Sequence, residues 1–339
     1  MKCFFHAADL DGHCSGALVK LWYSECEMFP IDYGDPFPWK EISRGEEIFM
    51  VDFSLQPFDE MLDLDRICHL TWIDHHVSAI KEYEAVLDSG YKPRMETILS
   101  KDERAACELV ADYIVPVKNQ SSEMFFVTRA LGRYDVWDKQ GCGRIWDSII
   151  LPFQYGMRLR DTMPTTDNAM LFWENILMMD DGPCGYETIT DVAEILERKF
   201  DFMPASVCTA ADVHARDIVN EGRVILQYKA QESKTLCKQY STEVVLDGLR
   251  CIAINAPRIN SETFESVWNP LKYDAMLSYY WRNDQWSVVL FTDKPEIDLS
   301  EICKAHGGGG HKGAAGFQCD ELPWDPLLEG LQDLRRANR

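Results

Sequence analysis

Three short segments place carboxylates and imidazoles where apolar runs end: His6-Ala7-Ala8-Asp9-Leu10-Asp11-Gly12, Val51-Asp52-Phe53-Ser54 and Ile73-Asp74-His75-His76. Oxygen and imidazole ligands suit a hard or borderline divalent cation such as Mn²⁺ or Mg²⁺, and these residues are numerous enough to hold two ions. Asp74-His75-His76 gives the sharpest signal, because three adjacent metal-capable side chains at a strand end rarely serve packing. Asp9 and Asp11 precede Gly12, where a tight turn can bend both toward neighbouring ions; their ordinary alternative is a helix cap followed by a positive-φ glycine. Asp52 follows Ile48-Phe49-Met50-Val51, and a carboxylate closing a buried run needs a partner. Asp135, in Tyr134-Asp135-Val136-Trp137-Asp138, adds a fourth acidic position after a helical stretch. Metal-dependent hydrolysis is the leading expectation.

Such side chains need strand ends to hold them. Residues 3–5, 48–51 and 70–73 are short apolar runs separated by helical patterns, the alternation of a parallel sheet with crossover helices. In such sheets ligands bind beyond the carboxyl ends of the strands, where all three motifs fall. A helix is expected from Cys14, just after Gly12, and others over 104–114 and 123–131. Residues 242–246, 251–255, 275–281 and 286–292 read as strands of a smaller mixed sheet, with a turn at Arg282-Asn283-Asp284-Gln285. The fold class is therefore α/β: an N-terminal parallel sheet flanked by helices, then a C-terminal mixed-sheet domain across a cleft.

A chain of 339 residues with 46% hydrophobic content is long enough for two cores. The expected division is 1–187 for the metal-binding domain, 188–231 for a helical connection and 232–339 for a second domain. A net charge of −22 argues against gripping long duplex nucleic acid, yet allows a small anionic substrate held through cations. Twelve cysteines occur without a C-x-x-C pair, so reduced thiols in the cytoplasm are the simpler reading. The N-terminus enters the first acidic motif almost at once, and no membrane span is expected. A homo-oligomer is compatible with the sequence.

His306-Gly307-Gly308-Gly309-Gly310-His311-Lys312-Gly313 is the remaining signature. Four successive glycines are an entropic liability unless the backbone must approach a ligand closely, and N–H groups there suit a phosphate beside His311. His13, His69 and His214 read as solvated or helix-face residues.

Taken together, these motifs resemble the DHH phosphoesterase superfamily, named for the triplet seen here as Asp74-His75-His76. The Gly-rich histidine segment resembles the DHH-associated C-terminal domain, and the likeness is greatest to the branch of short-oligoribonucleotide nucleases and cyclic-nucleotide phosphodiesterases. The resemblance implies two divalent cations, Mn²⁺ first and Mg²⁺ as the alternative. It implies that His6, Asp9 and Asp52 hold one, and Asp11, Asp52, His75 and Asp135 the other. By the same resemblance His76 points to the scissile phosphate, Asp74 lies close behind, and Gly308, Gly309, Gly310 and His311 bind substrate. The implied activity is hydrolysis of short oligonucleotides or small nucleotide phosphoesters by two-metal activation of a water. A single-strand exonuclease and a non-catalytic nucleotide sensor are the alternatives. Two departures stand out: only two residues separate His6 from Asp9, and Phe291 stands where many members carry an arginine.

Overall fold

The computed structural model describes residues 1–101, 104–116, 120–178 and 215–324. The chain divides into two compact units, Met1–Leu226 and Gln227–Arg339. Residues 188–214 of the expected connection, with His214, lie outside the described residues.

The first unit is built on strands β1 (Lys2–His6), β2 (Glu27–Ile31), β3 (Glu47–Val51), β4 (His69–Asp74) and β5 (Glu96–Leu99). They form one parallel sheet in the order β2-β1-β3-β4-β5. Because strand side chains alternate between faces, each central strand feeds two cores. Phe5, Val51 and Ile73 join the core beneath helices α1 (Leu10–Trp22), α4 (Ala106–Ile114) and α5 (Ser122–Asp135). Their neighbours Phe4, Met50 and Trp72 point to the other core, under α2 (Asp59–Ile67) and α3 (Val77–Asp88). The strands that carry the motifs, β1, β3 and β4, are adjacent in the middle of the sheet. The chain reverses direction across the sheet at β1 and β3, the crevice where open α/β sheets bind ligands.

The edge strands β2 and β5 escape the sequence pattern. Both are short and half-exposed, and β2 contains Pro30, a residue without an N–H that edge strands tolerate. Helix α1 starts at Leu10 rather than after Gly12, because the Asp9 carboxylate caps it by accepting from the Gly12 N–H at 2.9 Å. Gly12 is required there, since a Cβ would fall 2.1 Å from the His6 carbonyl oxygen. Helix α5 continues to Asp135, so that residue sits in its last turn rather than in a following loop. Short α6 (Lys139–Cys142), α7 (Leu151–Met157), α8 (Asp167–Met178) and the start of α9 (Ala215–Tyr240) complete the helical side.

In the second unit, β6 (Thr242–Leu246), β7 (Leu249–Asn255), β8 (Ala275–Arg282), β9 (Gln285–Phe291), β10 (Gly309–His311) and β11 (Ala314–Cys319) form a mixed sheet. Its order is β10-β11-β9-β8-β7-β6. Asn283 and Asp284 both take positive φ at the β8–β9 hairpin, as a two-residue turn between twisted strands requires. Helix α10 (Leu299–Ala305) packs on the sheet near the Gly-rich segment. Among the described residues, the cysteines are free and no helix is long and apolar enough to cross a membrane.

Candidate metal centre

The ends of β1, β3 and β4, with the last turn of α5, bring the six expected ligands together, and His76 beside them. Three overlapping groups form: His6, Asp9 and Asp52; Asp11, His75 and Asp135; and Asp52, His75 and His76. Within each group the ligand atoms lie within 4.8 Å of one another. Asp52 belongs to two of them. It takes φ 54°, a conformation that aspartate tolerates better than most side chains, and its N–H donates to the Ile73 carbonyl at 2.9 Å.

Asp52 is 1% exposed, yet neither of its carboxylate oxygens has a hydrogen-bond partner. His6 Nδ1, also buried, lies 2.8 Å from Asp9 Oδ2 and 3.5 Å from Asp52 Oδ2 without hydrogen-bond geometry to either. An unsatisfied buried carboxylate is costly, so these atoms fit a bound cation better than they fit each other. His75 Nε2 lies 3.1 Å from Asp135 Oδ2, 3.3 Å from Asp52 Oδ1 and 3.6 Å from Asp11 Oδ2. Burial pushes the Asp52 carboxyl up; His6 and His75 draw it back, while Asp9 and Asp135 add to the rise. This oxygen-rich, partly imidazole set matches Mn²⁺ or Mg²⁺ chemistry. The two intervening residues do not keep His6 from Asp9.

Several side chains have second tasks. Asp11 accepts from the N–H groups of Ala106 and Cys107, both at 2.8 Å, and so caps α4, whose own cap residue Ala105 supplies no side-chain bond. Asp74 does not join the cluster. Its oxygens are taken by the His75 and His76 N–H groups, by His76 Nδ1 at 2.7 Å and by Trp72 Nε1 at 3.2 Å. Asp74 therefore fixes the His76 ring with Nδ1 protonated. Burial lowers the His76 pKa, but Asp74 outweighs it and the net direction is up.

Three residues were not legible as part of the site. Asp32, just beyond β2, places Oδ1 3.4 Å from His6 Nε2, the position of a carboxylate behind a candidate ligand. Tyr33 sets its ring edge against His6 and His76, and burial pushes its hydroxyl up to about 12. The signal was available, since Ile31-Asp32 is another apolar run ending in an acid. His13 lies on helix α1, as the helix-face expectation had it, and is half-buried: Nε2 donates to the Ala7 carbonyl at 3.0 Å, leaving Nδ1 to meet Thr162 Oγ1 at 2.8 Å.

In the second unit, the Gly-rich segment divides its tasks. The N–H groups of Gly307 and Gly308 donate to the Lys304 and Cys303 carbonyls and terminate α10, so they are not free to cradle a phosphate. Gly308 packs tightly, as a Cβ would lie 2.1 Å from the Gly316 oxygen. Gly309, Gly310 and exposed His311 form β10 beside β11. His306 stacks on Phe317 and meets Asp247 at 2.6 Å.

A consequence of the cluster is measurable. Burial lowers the pKa of His6 and His75, but their carboxylate neighbours outweigh it and raise each to about 11. Both rings are then protonated at neutral pH and must lose those protons to ligate. Mn²⁺ binding at pH ~7.5 is expected to release about two protons per protein and to tighten as pH rises. Calorimetry in buffers of different ionisation enthalpy reads this directly; binding with no proton release would show that both rings are already neutral before the cation arrives.

No family model and no curated protein matches the chain. Solved structures do. The pGpG-specific phosphodiesterase PggH from Vibrio cholerae aligns over 99% of this chain and 97% of its own, at 13% identity and a TM-score of 0.52. An exopolyphosphatase-related protein from Bacteroides fragilis aligns over 99% and 90%, at 13% identity and a TM-score of 0.43. RecJ in complex with Mg²⁺, from Thermus thermophilus, aligns over 94% of this chain and 47% of its own, at 13% identity and a TM-score of 0.35. The chain thus has a DHH-like two-domain α/β fold.

Proposed function

We propose that this chain is a divalent-metal-dependent phosphoesterase acting on short oligonucleotides or small nucleotide phosphoesters. The observation that carries the reading is the buried Asp52 carboxylate, unsatisfied and shared between two groups of potential ligands. His6, Asp9 and Asp52 would hold one cation, and Asp11, Asp52, His75 and Asp135 the other. Such cations, when bound, neutralise phosphate oxygens and acidify water. Mn²⁺ is the ion we favour.

The chain's own residues supply the rest. His76, held by Asp74 and 30% exposed at its side chain, presents Nε2 as the free ring nitrogen and donates from it to a phosphate oxygen when charged. Tyr33 remains protonated and packs against both His6 and His76. Asp32 orients His6 from behind. In the second unit Gly309, Gly310 and His311 would bind substrate, with Gly308 serving packing. PggH, which shares the fold, is described as pGpG-specific, and that makes a linear dinucleotide the first substrate to test.

The test is a Mn²⁺-supplemented screen of pGpG, other dinucleotides, cyclic dinucleotides, 3′-phosphoadenosine 5′-phosphate, pyrophosphate and long single-stranded DNA, scored by product identity. Cleavage confined to nucleotides of ~2 to 5 units supports the reading, whereas processive digestion of long DNA favours an exonuclease. Tight nucleotide binding with no product favours a sensor.

A further inference from the structure

Within the first unit, a cavity of about 290 Å³ adjoins the acidic cluster. Asp9, Asp11 and Asp135 line it together with Gln154, Arg158 and Arg160. In a protein of net charge −22 an arginine readily finds a carboxylate, and Arg160 has one, with Nη2 2.7 Å from Glu221 Oε2. Arg158 has none among the described residues. Its guanidinium donates to Tyr134 Oη at 3.2 Å and lies over the Tyr155 and Tyr134 rings, 5.0 and 5.9 Å from their centroids. Two aromatic faces thus hold the side chain in place without neutralising it, leaving charged donors to face an anion.

The backbone that carries Arg158 is fixed on both sides. His13 joins the Ala7 carbonyl, two residues before Asp9, to Thr162, four residues beyond Arg158. Arg160 also donates to the Gly156 carbonyl at 2.7 Å, besides its pair with Glu221. One cavity therefore combines carboxylates suited to cations with a positioned, unneutralised guanidinium. The ligand that satisfies both is one whose negative charge bridges them.

We propose that Arg158 is a substrate-binding residue that takes the oxygens of a nucleotide phosphate in this cavity. The inference rests on the phosphoesterase reading for its ligand class, but its geometry is independent of turnover. A volume near the lower end of small-molecule sites, about 300 Å³, suits one phosphate with its nucleoside rather than a chain. Gln154, only 3% exposed and lining the same cavity, is placed to add an amide to that phosphate or its sugar.

The experiment compares the parent with R158Q and R158K, all at saturating Mn²⁺. Each is titrated calorimetrically with inorganic phosphate and with guanosine 5′-monophosphate, and Mn²⁺ affinity and melting temperature are measured alongside. Losing a charge-assisted contact predicts R158Q to bind both ligands about tenfold to a hundredfold more weakly, with Mn²⁺ affinity and melting temperature unchanged. Lysine, which keeps the charge but not the fork, restores part of the affinity. Equal ligand affinities in the parent and R158Q overturn the proposal. So does a parallel loss of Mn²⁺ binding, which would make Arg158 a partner of the cluster instead. Turnover is scored separately: a parent that binds phosphate through Arg158 but cleaves no nucleotide ester sinks the enzymatic reading and leaves this site standing.

Discussion

Replacing Asp52 with asparagine will abolish paired cation binding while leaving the fold intact. Asparagine is nearly isosteric and accepts the φ of 54° that position 52 requires, so the backbone has no reason to move. What disappears is the charge shared by both ligand groups. Changes one layer behind a metal commonly cost about 10-fold to 100-fold in affinity, so removing a carboxylate proposed to contact both ions should cost more than about 100-fold. The difference is visible without an activity assay. At a Mn²⁺ concentration of about 100 Kd the parent should gain roughly 2.7 kcal/mol, or about 5 to 10 °C in melting temperature. D52N should gain nothing, while its metal-free melting temperature stays close to the parent's. A full Mn²⁺-induced rise in D52N would remove Asp52 from the centre.

The second large effect is expected away from the ligands. Glu108, 1% exposed, lies in α4 and faces two buried arginines of α5: Arg133 Nη2 at 2.7 Å and Arg129 Nη1 at 3.2 Å. Arg104 approaches the same carboxylate at 3.7 Å and, like Arg129, pairs with Asp112. Glu108→Ala would leave the two buried guanidinium groups without this shared carboxylate. Breaking a buried ion pair from one side costs up to about 3 to 5 kcal/mol, and here Arg129 keeps Asp112 and Arg133 keeps Asp138, which holds the loss toward the lower end of that range. Unfolding in the presence of a chelator should show a loss of that size, roughly 6 to 20 °C in melting temperature. The same change should weaken Mn²⁺ binding by about 10-fold to 100-fold, since α4 is capped by Asp11 and α5 ends on Asp135. A variant as stable as the parent would show that the α4–α5 contact does not depend on this carboxylate.

What the sequence displayed, it displayed locally. Asp52 and Asp74-His75-His76 each follow a run of buried apolar residues, so both their strands and their place at the strand ends could be read from a few neighbours. The mixed character of the second sheet and its Asn283-Asp284 turn were legible for the same reason. Contacts made over long separations were not. Asp11 caps a helix 95 residues away, His13 meets Thr162 across 149 residues, and the acids and arginines around Glu108 resemble ordinary surface charges in one dimension. The edge strands β2 and β5 were hidden by exposure, although Asp32 closes an apolar run as Asp52 does. Gly308 misled in another way: a glycine run suggests a ligand, but two of its N–H groups end a helix.

The alternation of Phe4 with Phe5, Met50 with Val51 and Trp72 with Ile73 has a further consequence for how this chain tolerates change. The candidate ligands at the strand ends are aimed by parity: an even or odd count of residues from the strand's start decides which layer a side chain enters. Deleting a single residue within β3 would draw Asp52 back into the place of Val51, toward the opposite layer, and deliver Phe53 to the centre, whereas the connections between elements can lengthen freely. Diversification of this scaffold is thus confined to its loops, while its middle strands admit substitutions but not edits of length.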